Sequence, residues 1–388
     1  MKKQAWLTAL LFFGFLTSGM LLILFGRDDP FSELENRSLQ TRPQLTFKAL
    51  TEGDFATAAE AWMCDQLPLR QWLVEQKSAW ELALGRGESN GILLGNGQRL
   101  ARGAEEIRCA NGESLSSLDA PDPMQVSEAC QGLCRVSRLL GDRFTVLLTG
   151  RNIDVCASAF SYPNRFGIAL EAQLRRELAD VQCVDTLPLL RTRFDVGEEV
   201  YFRTDHHWTA LGAYYAYALV MRSMGMGDEI IPASSFEKRR VSEGFYGSLW
   251  SACGMHWIAP DQLELWYLGD EDCYTVTADG KQLDGFYSLA WLDRRDHYSV
   301  FLDGTHDVVT VTKNGEQRPR LLLVKDSFAN SMVPFLAHHF DLILLNLSSA
   351  RQDFTNVTQL MEEWNADRCL LVYTVENLIS TDKLSRLR

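Results

Sequence analysis

Leu321-Leu322-Leu323-Val324-Lys325-Asp326-Ser327-Phe328-Ala329-Asn330-Ser331 is the stretch on which the reading of this chain turns. Four consecutive apolar residues suit a strand buried on both faces, and they stop at a polar tripeptide beyond which a helical pattern begins. Ser327 is therefore expected on a strand-to-helix turn, exposed at the top of a sheet, where nucleophilic serines are favoured. A serine hydroxyl is a poor nucleophile at neutral pH and needs a base. Tyr201-Phe202-Arg203-Thr204-Asp205-His206-His207-Trp208-Thr209 supplies one. On an extended segment, a spacing of two puts Asp205 and His207 on one side and turns His206 to the other, as a structural histidine. Asp205 would orient the His207 imidazole and leave its second nitrogen free, the base half of a serine triad. The plainer alternative is an aromatic helix entrance in which Asp205 caps the helix and the histidines pack.

The surrounding pattern is that of an α/β domain. Pro123 to Leu140 is amphipathic with helical spacing, and Phe144-Thr145-Val146-Leu147-Leu148-Thr149 is a short buried strand. Phe166 to Leu178 is helical again, Val181 to Val184 strand-like, and Thr209 to about Met224 a helix stopped by Gly225-Met226-Gly227. Leu342 to Leu347 and Cys369 to Tyr373 are two more buried strands, with a helix from Phe354 to Trp364 between them. Alternating strands and helices predict a largely parallel sheet, and the candidate residues fall at carboxyl ends of strands. From about 232 to 298 the chain is rich in aromatics and glycine, which predicts a β-rich insertion whose aromatics are core more than ligand platform. Asn90 to Leu100 reads as a hairpin turning at Gly95-Asn96-Gly97. Phe47 to Leu84 reads as a helical pair broken at Asp65 to Arg70, its apolar residues packed against the domain.

Composition narrows the partners. The 388 residues carry 38 Lys+Arg against 51 Asp+Glu, a net charge of −13 with no basic stripe, which argues against nucleic acid. Lys2 and Lys3 precede an uncharged run from Ala5 to Gly26, long enough to cross a bilayer and lacking a small-residue cleavage pattern. We read a signal anchor with a cytoplasmic N-terminus, which places the catalytic domain outside the cell membrane on a single span. Three segments follow: 1–30 as cytoplasmic tip and anchor, 31–88 as connector and helical pair, and 89–388 as the α/β domain. Of nine cysteines, Cys109 could bridge to Cys130 or Cys134, since disulfides form outside the membrane. Cys130-x-x-x-Cys134 has no second ligand pair at finger spacing, and adjacent histidines (His206-His207, and His338-His339, read as solvated) rarely converge on one ion, so no metal or cofactor is expected. Oxyanion donors are sought in the Ser327 N–H, in Gly304 and Thr305, and in Asn330, one turn along the helix. Lys325 and Trp208, next to the two motifs, complete the candidates for substrate contact.

These two stretches resemble the bacterial DHHW protein family, named for Asp-His-His-Trp, and more distantly the SGNH-hydrolase-like domains of alginate and cell-wall polysaccharide O-acetylation proteins. Further matching pieces, in order, are Glu35-Asn36-Arg37, Asp65 to Arg70, the Asn90 to Gly97 hairpin, Phe245-Tyr246-Gly247-Ser248 and Lys325 to Ser331. The resemblance implies an SGNH-like, flavodoxin-like sheet flanked by helices, with Asp205, His207 and Ser327 as triad in an order that puts the serine last. It implies O-acetyl transfer to a cell-surface polysaccharide, without a cofactor, beside a membrane-bound O-acyltransferase that brings the acyl group across. A carbohydrate esterase and a non-catalytic glycan-binding or assembly protein are the alternatives. Asp303 and Thr305 replace a glycine and an asparagine of the family pattern, which implies a weaker oxyanion hole.

Overall fold

The apolar run before Ser327 is a strand at the centre of an eight-stranded sheet. The computed structural model describes residues 2–102, 106–108, 114–116, 123–161, 165–269, 271–347, 354–380 and 382–388. The strands are β1 (Phe144–Thr149), β2 (Cys183–Asp185), β3 (Tyr274–Ala278), β4 (Lys281–Leu283), β5 (Val308–Lys313), β6 (Arg320–Lys325), β7 (Asp341–Asn346) and β8 (Arg368–Thr374). Their order is β4-β3-β5-β7-β6-β8-β1-β2. β7, β6, β8, β1 and β2 are parallel neighbours, while β5, β3 and β4 add an antiparallel wing. β3 and β4 come from the stretch read as an insertion, so that reading is corrected. Within that stretch, Glu237–Phe245 and Asp261–Tyr267 form a separate two-stranded sheet. Alternation looks the same in a sheet edge and in a detached hairpin, so the pattern alone did not separate them.

Alternate residues of β6 enter two different cores, which is why its run is unbroken. Leu321 and Leu323 join one cluster and Leu322 and Val324 the other. The first core holds the helix that follows the Asp-His-His-Trp loop, the second the helices Pro123–Leu140, Arg165–Glu177 and Val357–Glu363. Phe245, Trp250, Trp266, Tyr274, Phe286 and Tyr287 are all buried, as core aromatics should be.

Two compact units can be distinguished, residues 1–90 with 251–257, and residues 91–250 with 258–388. In the first, α1 (Lys2–Phe25) contains a stretch, Trp6–Phe25, of mean hydropathy 2.2, long and apolar enough to cross a membrane. α2 (Phe47–Glu52), α3 (Asp54–Asp65) and α4 (Arg70–Ala83) replace the expected pair, because Gly53 adopts φ +84 and breaks the first helix. The expectation that their apolar residues pack inward fails on α4, where Trp72, Leu73 and Trp80 are exposed.

In the second unit, Ile92–Leu94 and Leu100–Arg102 form the expected hairpin. Cys109 lies outside the described residues, and Cys130 and Cys134 are free thiols. His338 and His339 are not solvated. Nδ1 of the first is 3.1 Å from the Tyr274 hydroxyl, and Nε2 of the second 2.8 Å from that of Tyr217. Burial lowers both to about 4. The unfolded chain therefore takes up these protons first as pH falls, so stability present above about pH 6.5 is lost on the way down to about pH 4. Chemical denaturation at about pH 7 and about pH 4.5 should show a larger loss for the wild type than for H338Q/H339Q.

Candidate active site

The Asp-His-His-Trp stretch is a closed loop. Tyr201 and Trp208 face each other in an isolated antiparallel bridge, and the Phe202 N–H donates to the His207 carbonyl over 3.2 Å. Asp261 fixes the loop from below by accepting the Thr204 N–H (2.7 Å) and hydroxyl (2.6 Å) and the Arg203 N–H (3.1 Å). α5 (Ala210–Ser223) follows, capped by the Thr209 hydroxyl, which accepts the Gly212 N–H. A Cβ on Gly212 would stand 2.2 Å from the Val200 carbonyl oxygen, so only glycine lets the helix start this close to the loop.

The loop brings His207 to Ser327. Nε2 of His207 lies 2.7 Å from the Ser327 hydroxyl oxygen, and Nδ1 lies 2.6 Å from Oδ1 of Asp205. That same Oδ1 accepts the His207 backbone N–H over 2.9 Å, while Oδ2 accepts the Ser248 N–H over 2.7 Å. Burial alone would raise the Asp205 carboxyl, but His206, His207 and the Ser248 N–H outweigh it and hold the group well below the usual carboxylate range. The carboxylate is thus charged and aimed at the imidazole. Ser327 remains partly exposed, at the carboxyl end of β6.

His206 is not turned away. Its ring lies 3.8 Å from that of His207, centroid to centroid, and Nδ1 is 2.7 Å from the Ser248 hydroxyl. Strict alternation holds for extended backbone, and this backbone curls. Together with Asp205 these histidines could offer three ligand atoms within 4.8 Å of one another. Both ring nitrogens of His207 are engaged, however, with Asp205 on one side and Ser327 on the other.

Several predicted contacts take other parts. Trp208 is fully buried, and its Nε1 donates to the Ser331 hydroxyl (2.8 Å) and the Phe328 carbonyl (3.1 Å), so it fastens the serine turn and does not reach a substrate. Lys325 is buried at the end of β6 in register with Asn346 and Val372, and burial lowers it to about 8 against the pull of Asp326. The Gly304 N–H is taken by the Phe301 carbonyl at 3.2 Å, and Thr305 is exposed. The Asn330 amide donates to the Gly304 carbonyl over 3.3 Å. That leaves the Ser327 N–H, which opens a turn whose first donors have no acceptor within the helix.

Three supporting groups lie outside the candidate residues. The Tyr298 ring stacks on His207 at 3.7 Å and 8°, and its hydroxyl donates to the Ser327 carbonyl over 3.2 Å. Asp326 caps the serine turn through the Phe328 N–H (3.1 Å) and ties it to β8 through the Thr374 N–H (2.7 Å). Gly247 lies so close to Asp205 that a Cβ there would come within 2.2 Å of the Asp205 Cβ. G247A should cost roughly 1–3 kcal/mol of stability by overpacking. Denaturant midpoints would measure it, with ester turnover falling as Asp205 is displaced.

The model of the family described as DHHW protein matches residues 183–345 of this chain. The crystal structure of a DHHW family protein from Eubacterium siraeum is similar over 77% of this chain and 95% of that one, at TM-score 0.58 and 17% identity. Bacillus cereus PatB1 with a sulfonyl adduct is similar over 76% of this chain and 98% of its own, at TM-score 0.60 and 20% identity. A second structure of B. cereus PatB1 covers the same shares, at TM-score 0.58 and 19% identity. No curated protein matches. Residues 183–345 thus match the DHHW protein family model, and the α/β fold that carries them is similar to those of the E. siraeum and PatB1 structures.

Proposed function

We propose that the chain is an O-acyltransferase, in the first instance for acetyl groups, that works outside the cell membrane on a surface polysaccharide and is held there by α1. The observation that carries the reading is the unbroken line from Ser327 Oγ through His207 to Asp205, at 2.7 Å and 2.6 Å. Such a line can move a proton off the hydroxyl as it attacks.

Ser327 Oγ attacks the carbonyl carbon of an acyl donor while His207 Nε2 takes the hydroxyl proton. The oxyanion that forms meets the Ser327 N–H. As the tetrahedral intermediate collapses, the bond to the leaving group breaks and His207 returns the proton to it, leaving acyl-Ser327. A sugar hydroxyl then gives its proton to His207, attacks the acyl carbon and releases Ser327. Asp205 stabilises the imidazolium in both halves. Water in place of the sugar would make the chain an esterase, the alternative with the same first half. PatB1, similar in fold, has been captured with a sulfonyl adduct. That class of reagent, which reacts with activated hydroxyls, suits a test of this chain.

The purified full chain, given p-nitrophenyl acetate with and without an oligosaccharide, separates the readings. New esters on the sugar support transfer, and free acetate alone in the presence of the sugar supports hydrolysis. If wild type and S327A are equally inert while the oligosaccharide still binds, the chain is a glycan-binding protein.

A further inference from the structure

α4 turns Trp72, Leu73 and Trp80 outward, around an exposed Gln76, while the one residue it buries is Ser78. Trp72, Leu73 and Trp80, with Trp80 eight and seven positions beyond the other two, lie on one side of a helix about 21 Å long, and Leu69 and Leu84 cap its two ends. All five are exposed, Trp80 at 67% and Leu84 at 79%. The opposite side is spent on polar contacts. Ser78 is fully buried and donates to the Cys253 carbonyl over 3.3 Å, while Glu75 meets His256 Nδ1 at 2.9 Å. A helix normally buries its apolar face, so a stripe left outside is made to be covered by something else. Among the described residues of the second unit, the exposed large apolar side chains are scattered singly.

Within the same unit, α3 and the connector before α2 are fastened to the end of α1. Trp62 Nε1 donates to Asp28 over 3.0 Å, Gln66 exchanges two hydrogen bonds of 2.9 Å with the Asp29 backbone, and Arg42 reaches the Leu24 carbonyl at 2.6 Å. These contacts begin within the last turn of the apolar helix and end four residues beyond it. A helix tied this closely to a membrane span lies at headgroup depth, where tryptophan is favoured, and α4 begins four residues after the cap of that helix. Residues 31–90 carry nine Asp+Glu and six Lys+Arg, which disfavours an anionic surface.

We propose that the Leu69-Trp72-Leu73-Trp80-Leu84 stripe of α4 lies in the headgroup layer of an uncharged lipid surface and holds this unit flat against the membrane that α1 crosses. The proposal rests on α1 as the membrane span. It is tested with the full chain in phosphatidylcholine vesicles, carrying photoreactive p-benzoylphenylalanine at Trp72, at Trp80, at the inward Val74, or at Leu16 within α1. Lipid adducts should form at 16, 72 and 80 and be lost at 74. Adducts at 16 with none at 72 and 80, or with crosslinks there to a second copy of the chain, overturn the proposal and leave the span standing. No lipid adduct at 16 overturns the span itself and the proposal with it. Adducts at 72 and 80 that appear only in phosphatidylglycerol vesicles overturn the uncharged surface.

Discussion

S327A should lower kcat/KM for p-nitrophenyl acetate by ~10³-fold or more, the scale on which a triad fails when its nucleophile is removed. The hydroxyl is partly exposed, and its hydrogen bond is to His207. Removing it should leave the denaturation midpoint nearly unchanged, because surface-accessible changes away from the core typically stay within about 0.5 kcal/mol. H207A should be as damaging, and the S327A/H207A pair no worse than either alone, because the two groups act as one unit. Additive losses, or a pair of singles that retain turnover, would mean that hydrolysis occurs elsewhere on the chain.

D205N is the second large effect. The carboxylate accepts three hydrogen bonds, two from His207 and one from Ser248. An asparagine has one oxygen to share among these donors, and its NH2 must then point at a donor. Whichever way the amide turns, either the Ser248 N–H is stranded or the imidazole is held with its proton on Nε2, facing Ser327 and unable to accept from it. A fall of ~10⁴-fold in turnover is expected for the wrong tautomer. NMR of the imidazole nitrogens would check it directly, with protonated Nδ1 in the wild type and protonated Nε2 in D205N. Nearly unchanged turnover with Nδ1 still protonated would remove Asp205 from the mechanism.

What was legible before the fold was known depended on the distance over which each feature is encoded. The β6 run and the polar tripeptide after it are contiguous, so the strand-to-helix turn at Ser327 could be read directly, and so could the helix capped by Thr209. The Asp205–His207 spacing pointed to a pair that the structure brings together, through a premise that fails locally. The backbone curls, His206 stacks on its neighbour, and the pair meets because Asp261, Gly247 and Ser248 shape the loop from 40 or more positions away. Tyr298 has no motif at all, since an aromatic that stacks on a histidine looks like any core aromatic until the two are side by side. On α4 the periodicity identified an apolar face correctly. Periodicity carries no information about which way that face points, and the assumption that it points inward was what failed.

The central claim is that Ser327 is an activated nucleophile, and covalent trapping tests it most directly. The full chain is incubated with a sulfonyl fluoride and digested, and the modified peptide is sequenced by mass spectrometry. The account predicts one adduct, on Ser327, formed at a rate that falls in H207A and absent in S327A. Modification at another residue, or a wild-type chain that stays unmodified while folded, would contradict it.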